Sequence, residues 1–189
     1  MQSPQRAKSL VDIATLSALV VIFDYTLKFS GWKIPFPWFP TLRFDFSGIP
    51  IMLSMFLRGV QAGGMTSAVA FFAILVRSAD PIGASMKAMA EFATMLGVAP
   101  FAMQSERKWK AASVAMGLVL RVAVTSGANL VVLPVVYGWK FPTAVSFLPW
   151  LGLFNSVQGS ISILGGYLIY EGIAKRIPTL TGKKHAQFY

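Results

Sequence analysis

The sequence predicts an all-α fold: a polytopic membrane protein with six transmembrane helices and an ordered aromatic outer loop between helices 1 and 2. Three observations predict it. Hydrophobic residues make up 55% of the chain and charged residues 13%, whereas soluble domains carry about 25% charged residues. The mean hydropathy is +0.61, which is more apolar surface than a soluble core of this size can bury. The basic residues, net charge +10, punctuate long apolar runs, the pattern by which loop lysines and arginines orient a chain in a bilayer. That distribution argues against a nucleic-acid-binding surface.

At roughly 20 apolar residues per crossing, the length accommodates about five to seven helices in a single integral membrane domain over 1–189. The first helix is expected over 8–29. Arg6 and Lys8 precede it like the basic start of a signal peptide, but no small-x-small cleavage site follows, and Asp24 and Lys28 interrupt its end, so a retained helix is expected. The stretch 31–50 is unlike the rest. Pro35, Pro37, Pro40 and Pro50 forbid a regular helix, and its many aromatics imply an ordered loop packed on the helix ends.

A short second helix is expected over 47–58, with Gln61-Ala-Gly-Gly64 turning it into a third over 65–78. Asp80-Pro81-Ile-Gly83 is a turn signal, with Pro81 suited to a helix start, and a fourth helix follows over 84–103. Ser105 to Lys110 is a polar break. The fifth helix is expected over 111–137, ended or kinked by Pro134, and the sixth over 146–174, followed by a basic tail. Six crossings put both termini on one side. Arg6, Lys8, Arg58, Arg107, Lys108, Lys110, Lys175, Arg176, Lys183 and Lys184 fall on that side, against Lys28, Lys33, Arg43, Arg77, Lys87 and Lys140 on the other. This bias predicts cytoplasmic termini in the cell membrane and an aromatic loop that faces outside.

The chain has no cysteine, which excludes disulfides, thiolate metal sites and a cysteine nucleophile. Its one histidine, His185, lies in the polar tail, so no catalytic residue and no metal site is expected. Polar side chains inside the bilayer are costly and face the bundle interior; here they are Glu91, Arg121, Asn129, Asn155 and Gln158. Counted from the expected helix ends at 1.5 Å per residue, Glu91, Asn129 and Asn155 fall roughly 10–14 Å below the outer surface. Arg121, Thr125 and Asn129 share one helix face, and Asn155, Gln158, Ser162 and Gly166 form a second stripe. Each amide can serve as hydrogen-bond glue between helices, but as a level set beneath the aromatic loop they point to a small-molecule pocket. Trp32, Phe36, Trp38, Phe39, Phe44 and Phe46 suit either an interfacial belt or a lid that stacks on a flat ligand. Ala14 and Ala18, with Ala7 and Val11 on nearly the same face, present a shallow groove for another helix, inside the bundle or outside it.

Ala14-x-x-x-Ala18, followed by Leu42-Arg-Phe-Asp-Phe-Ser-Gly-Ile-Pro50 at the start of a short second helix, resembles the substrate-binding S-component of energy-coupling factor (ECF) vitamin importers, and within it the riboflavin-specific branch. Asn129-Leu-Val-Val-Leu-Pro134-Val-Val-Tyr137 and Leu148-Pro-Trp-Leu-Gly-Leu-Phe-Asn155-Ser-Val-Gln158-Gly159 are similar to two further segments of that branch, although Gln158 stands where lysine is often found. The resemblance implies a binding subunit for riboflavin, carried as ligand and not as cofactor. It implies contacts from outer-loop groups (Phe44, Asp45, Phe46) and from Asn129, Asn155 and Gln158, with Glu91 at the same expected depth. It further implies docking of Ala14 and Ala18 on a transmembrane T-component coupled to two cytoplasmic ATPase subunits. A different vitamin or flavin-like compound is the neighbouring reading.

Other classes lack their parts. There is no G-x-S-x-G elbow, no intramembrane histidine, no metal-ligand cluster and no paired carboxylates in one span, so an enzyme is not expected. No filter-like motif or repeated acidic ring marks a pore, and no P-loop is present, so any ATP coupling comes from partners.

Overall fold

The computed structural model describes residues 4–102, 104 and 106–177. Lys183, Lys184 and His185 in the tail, the expected end of the fourth helix at Met103, and Ser105 lie outside the described residues. Among the described residues six α-helices follow in order: α1 (Pro4–Phe29), α2 (Gly48–Arg58), α3 (Val60–Ser78), α4 (Pro81–Val98), α5 (Arg107–Val135) and α6 (Phe141–Arg176). Between α1 and α2 lie two antiparallel strands, β1 (Ile34–Phe36) and β2 (Phe39–Phe44). This is a multi-pass membrane fold.

Three helical segments, Ser9–Phe29, Val60–Ser78 and Arg107–Val135, are long and apolar enough to cross a bilayer by length and composition. Lys87 and Glu91 lower the hydropathy of α4, and Asn155 and Gln158 that of α6, so the residues that blur these two spans are also those that build the site. The 36-residue α6 is about 54 Å long. The 11-residue α2 reaches only about 16 Å, and it is enclosed instead: Ile51 and Met52 are fully buried, and α2 packs on α1, α3 and α6. Met52, Met55, Phe56, Met95, Val98 and Ile163 form the largest buried cluster.

Several boundaries differ from the sequence expectation. The break after α2 is at Gly59, whose φ of +87° favours glycine, and α3 runs straight through Gly63 and Gly64. Gly63 serves packing, since a Cβ there would meet Met55 Cβ at 3.0 Å. Helix α4 starts at Pro81, not 84, because the Asp80 carboxylate accepts from the backbone N–H of Ile82 (3.1 Å) and Gly83 (2.9 Å) and caps it. It ends at Val98, where a 3-10 turn, Ala99–Phe101, takes over. Helix α5 starts at Arg107 because the carbonyl of Glu106 accepts from the N–H of Trp109 and Lys110. Helix α6 starts five residues early, with Pro142 in its first turn, a position that needs no intrahelical N–H.

The expected ordered loop is a hairpin. Pro35 pairs with Arg43 across it, which a two-stranded sheet permits because both strands are edges. Its rings pin it to α6: Phe36 is buried against Phe154 (centroids 5.6 Å apart), Phe44 stacks on Phe154 (4.9 Å) and Trp38 stacks on Trp150 (4.9 Å).

Candidate ligand-binding site

A cavity of about 560 Å³ lies beneath the hairpin, between α4, α5 and α6. Phe39, Thr41, Leu42, Arg43 and Asp45 form its roof. Asp80, Ile82, Gly83, Met86, Lys87 and Ala90 come from α4 and its cap. Arg121, Thr125, Asn129, Val132 and Leu133 come from α5, with Tyr137 and Trp139 just beyond it, and Leu151, Phe154, Asn155 and Gln158 come from α6. The four-residue spacing of Arg121, Thr125 and Asn129 puts them on one face, and that face lines the cavity.

The floor is built around Arg121, which is buried. Its Nη1 donates to Glu91 Oε1 (3.0 Å) and Thr94 Oγ1 (3.0 Å), and its Nε donates to Asn155 Oδ1 (3.2 Å). Glu91 is fully buried behind it and also accepts from Ser162 Oγ at 3.3 Å. The other carboxylate oxygen of Glu91 has no hydrogen-bond partner among the described residues. It faces the start of α2 at Gly48, where a Cβ would come within 2.6 Å of it, so glycine permits this approach.

The group at one depth is therefore Glu91, Arg121 and Asn155, not Glu91, Asn129 and Asn155. Asn129 lies eight residues farther along α5, about 12 Å toward its outer end. The expected depths erred because α4 and α6 begin earlier, and α5 ends earlier, than their apolar runs imply.

The roof is held by Gln158. Its Nε2 donates to the Asp45 carbonyl (2.8 Å), and its Oε1 accepts from the Asp45 N–H (3.1 Å). The Asp45 carboxylate accepts from Ser47 Oγ (2.8 Å) and Ser47 N (3.1 Å). It is ion-paired with Lys87, and Lys33 Nζ is 3.6 Å away. Asp45 lies in the connection between β2 and α2, outside the spans. Burial alone would raise its pKa, but Lys87 and Lys33 outweigh burial and hold the carboxyl well below the usual carboxylate range. Lys33 also donates to Asp24 on α1 (2.6 Å), which accepts from Arg77 Nε on α3 (2.5 Å). The root of the hairpin is thus tied to α1, α3, α4 and α6.

Of the residues singled out in the sequence, Phe39, Asp45, Arg121, Thr125, Asn129, Asn155 and Gln158 line the cavity. Phe44 stands behind the wall on Phe154. Phe46 is exposed and borders a separate shallow groove with Ile49, Val157 and Leu164. Glu91 lies under Arg121 rather than on the wall. The sequence reading counts Lys33, Arg77 and Lys87 only as outer-side charges and Asp24 only as an interruption of the first helix, and it names Arg121 as an intramembrane polar residue without a partner. A signal was present: an arginine inside an apolar helix needs a counter-charge, and Glu91 is the one acidic residue deep within an expected span.

Ala14 and Ala18 lie elsewhere, on α1, which packs on α2 and α3. Both are exposed, and Val11 beside them is 64% exposed, so the rest of the bundle does not use this face. Among the described residues, no three His, Cys, Asp or Glu side chains converge as metal ligands.

No protein-family model and no curated protein sequence matches the chain. A solved structure does: the S component of a bacterial ECF transporter aligns with 91% of this chain and 98% of its own, at a TM-score of 0.75 and 26% identity. The chain has the fold of an ECF transporter S component. Its architecture is that of a membrane transport subunit and not of an enzyme.

Proposed function

We propose that this chain is the substrate-binding S component of an ATP-driven vitamin importer and that its ligand is riboflavin. The observation that carries the reading is the cavity under the pinned hairpin. Its volume lies within the range of about 300–1,000 Å³ typical of small-molecule sites. Phe39, Tyr137, Trp139 and Phe154 offer ring surface to a flat heterocycle, and Arg121, Asn129, Asn155 and Gln158 offer polar partners at different depths. The resemblance around Asp45-Phe-Ser-Gly-Ile-Pro50 favours riboflavin over other vitamins; another vitamin or flavin-like compound is the second reading.

In this reading Asp45, Asn129, Asn155 and Gln158 surround the ligand, while Phe44, Phe46 and Glu91 act through the wall, the hairpin and the floor. The termini lie in the cytoplasm, the hairpin faces outside, and the exposed Ala14–Ala18 face docks on a T-component served by two ATPases. The test is titration of the detergent-purified protein with riboflavin. Saturable quenching of flavin fluorescence near one equivalent, or yellow colour retained through purification, is expected. A flat titration would remove riboflavin and promote the second reading.

A further inference from the structure

The hydrogen bonds at the cavity floor leave one strong donor unused. Nε and Nη1 of Arg121 are committed to Asn155, Glu91 and Thr94, whereas none of the hydrogen bonds among the described residues uses Nη2. The side chain is only 3% exposed, and Arg121 is part of the cavity lining. A guanidinium offers five N–H donors and no acceptor, so Nη2 brings two hydrogens to the floor. The neighbouring amides have less to give: Asn155 donates from Nδ2 to the Leu151 carbonyl (2.9 Å), and Gln158 is engaged with Asp45 at both ends. Of the acceptors beside it, Glu91 Oε1 and Asn155 Oδ1 are taken up by Arg121, and the free Oε2 of Glu91 faces Gly48 while Glu91 is not part of the cavity lining, so the floor offers the ligand donors.

We infer that Arg121 is a specificity-determining residue, which donates from Nη2 to an acceptor oxygen at the inner end of the ligand, and that Glu91 is its positioning residue. The inference rests on the riboflavin reading above. A lysine would not replace Arg121, because the planar fork holds Glu91 and Asn155 with two of its nitrogens while it presents the third. Glu91 holds the fork in place and offsets its charge in a buried site.

The test compares three proteins by fluorescence titration: wild type, Arg121→Lys, and the double variant Arg121→Gln with Glu91→Gln. The lysine keeps a charge opposite Glu91, and the double variant removes both charges, so neither leaves a lone buried ion. The probes are riboflavin, 2-thioriboflavin and 4-thioriboflavin (sulfur in place of one ring carbonyl oxygen), and lumiflavin (no ribityl chain). Wild type should prefer riboflavin over at least one probe by about tenfold or more, the usual effect of a hydrogen bond to a charged donor. Both variants should lose riboflavin affinity and erase that preference, while their affinity for the disfavoured probe stays level. Unchanged riboflavin affinity in both variants, or an equal loss for all probes, would overturn the role of Arg121 and leave the riboflavin reading standing. Wild type that binds no flavin overturns the reading itself, and this inference with it.

Discussion

Gln158 on α6 and the backbone of Asp45 form a reciprocal pair of hydrogen bonds across 113 residues of chain, at 2.8 and 3.1 Å. The side-chain amide thus completes the hairpin where β2 ends and α2 has not begun, at a buried peptide with no ladder partner. In that role Gln158 is first an anchor of the roof, and its contact with a ligand is secondary. Gln158→Leu should leave the Asp45 N–H and C=O unpaired, at about 1–3 kcal/mol each. Amide hydrogen exchange should accelerate across 39–47 while α5 stays protected. Unchanged exchange in the hairpin would contradict the anchor.

The second tether is Asp24, 1% exposed between Lys33 and Arg77. Asp24→Ala leaves Arg77 facing Lys33 without its counter-charge, and Lys33 with only the longer contact to Asp45 (3.6 Å); losing one partner of a buried ion pair costs about 3–5 kcal/mol. The apparent Tm in detergent should fall by several degrees, and riboflavin should dissociate faster because Lys33 no longer holds the hairpin. A mutant that melts like wild type would show that the cluster contributes nothing net.

The pH dependence follows from Asp45. Its folded pKa is depressed, so ionised Asp45 contributes stability that is fully present above its unfolded pKa of about 3.9 and is lost as pH falls toward the folded value. Hairpin protection should therefore be flat from about pH 5 to 8 and weaken below about pH 4. Asp45→Asn should be less stable than wild type at neutral pH, with the difference shrinking in acid. A difference that grew in acid would reverse the assigned sign.

Much of this architecture is legible in the residues, and the exceptions have physical causes. Helices α1 and α5 follow from their apolar length, and Pro81 and Pro134 fall in the first and last turns where the sequence leads one to look. Gly63 and Gly64 mislead because in lipid a glycine more often admits a neighbouring helix than breaks its own; the left-handed backbone at Gly59 has no composition signal. The hairpin is hidden by Pro35 and Pro40, which suit a strand only when both strands are edges. Most of the loop aromatics are spent on α6: Phe36, Phe44 and Trp38 contact Phe154 or Trp150, while Trp32 is 76% exposed and fits an interfacial belt. The pairing of Glu91 with Arg121 depends on the relative depth of two helices, which apolar runs locate only to within a turn.

The last prediction concerns the face of α1 that the bundle leaves uncovered. Ala14 and Ala18 are one turn apart and both exposed, with Val11, Leu10 and Ile22 also exposed. Small side chains let a second helix backbone approach closely, and close packing is what drives association in lipid, where apolar surface alone gives no preference between a helix and acyl chains. Had this face packed inside the bundle, Ala14→Leu with Ala18→Leu would overfill the core and cost about 1–3 kcal/mol. Exposure gives the opposite forecast for the monomer. The double variant should melt like wild type and bind riboflavin with unchanged affinity, because the cavity lies among α4, α5 and α6 while α1 packs on α2 and α3. Co-purification with a T-component and its ATPases, and uptake of labelled riboflavin by cells, should both be abolished, since two leucines hold the partner helix away from the alanine groove. Measuring melting, affinity and complex formation on one preparation separates the outcomes: retained complex formation would place the docking surface elsewhere, and lost affinity would mean that α1 supports the cavity after all.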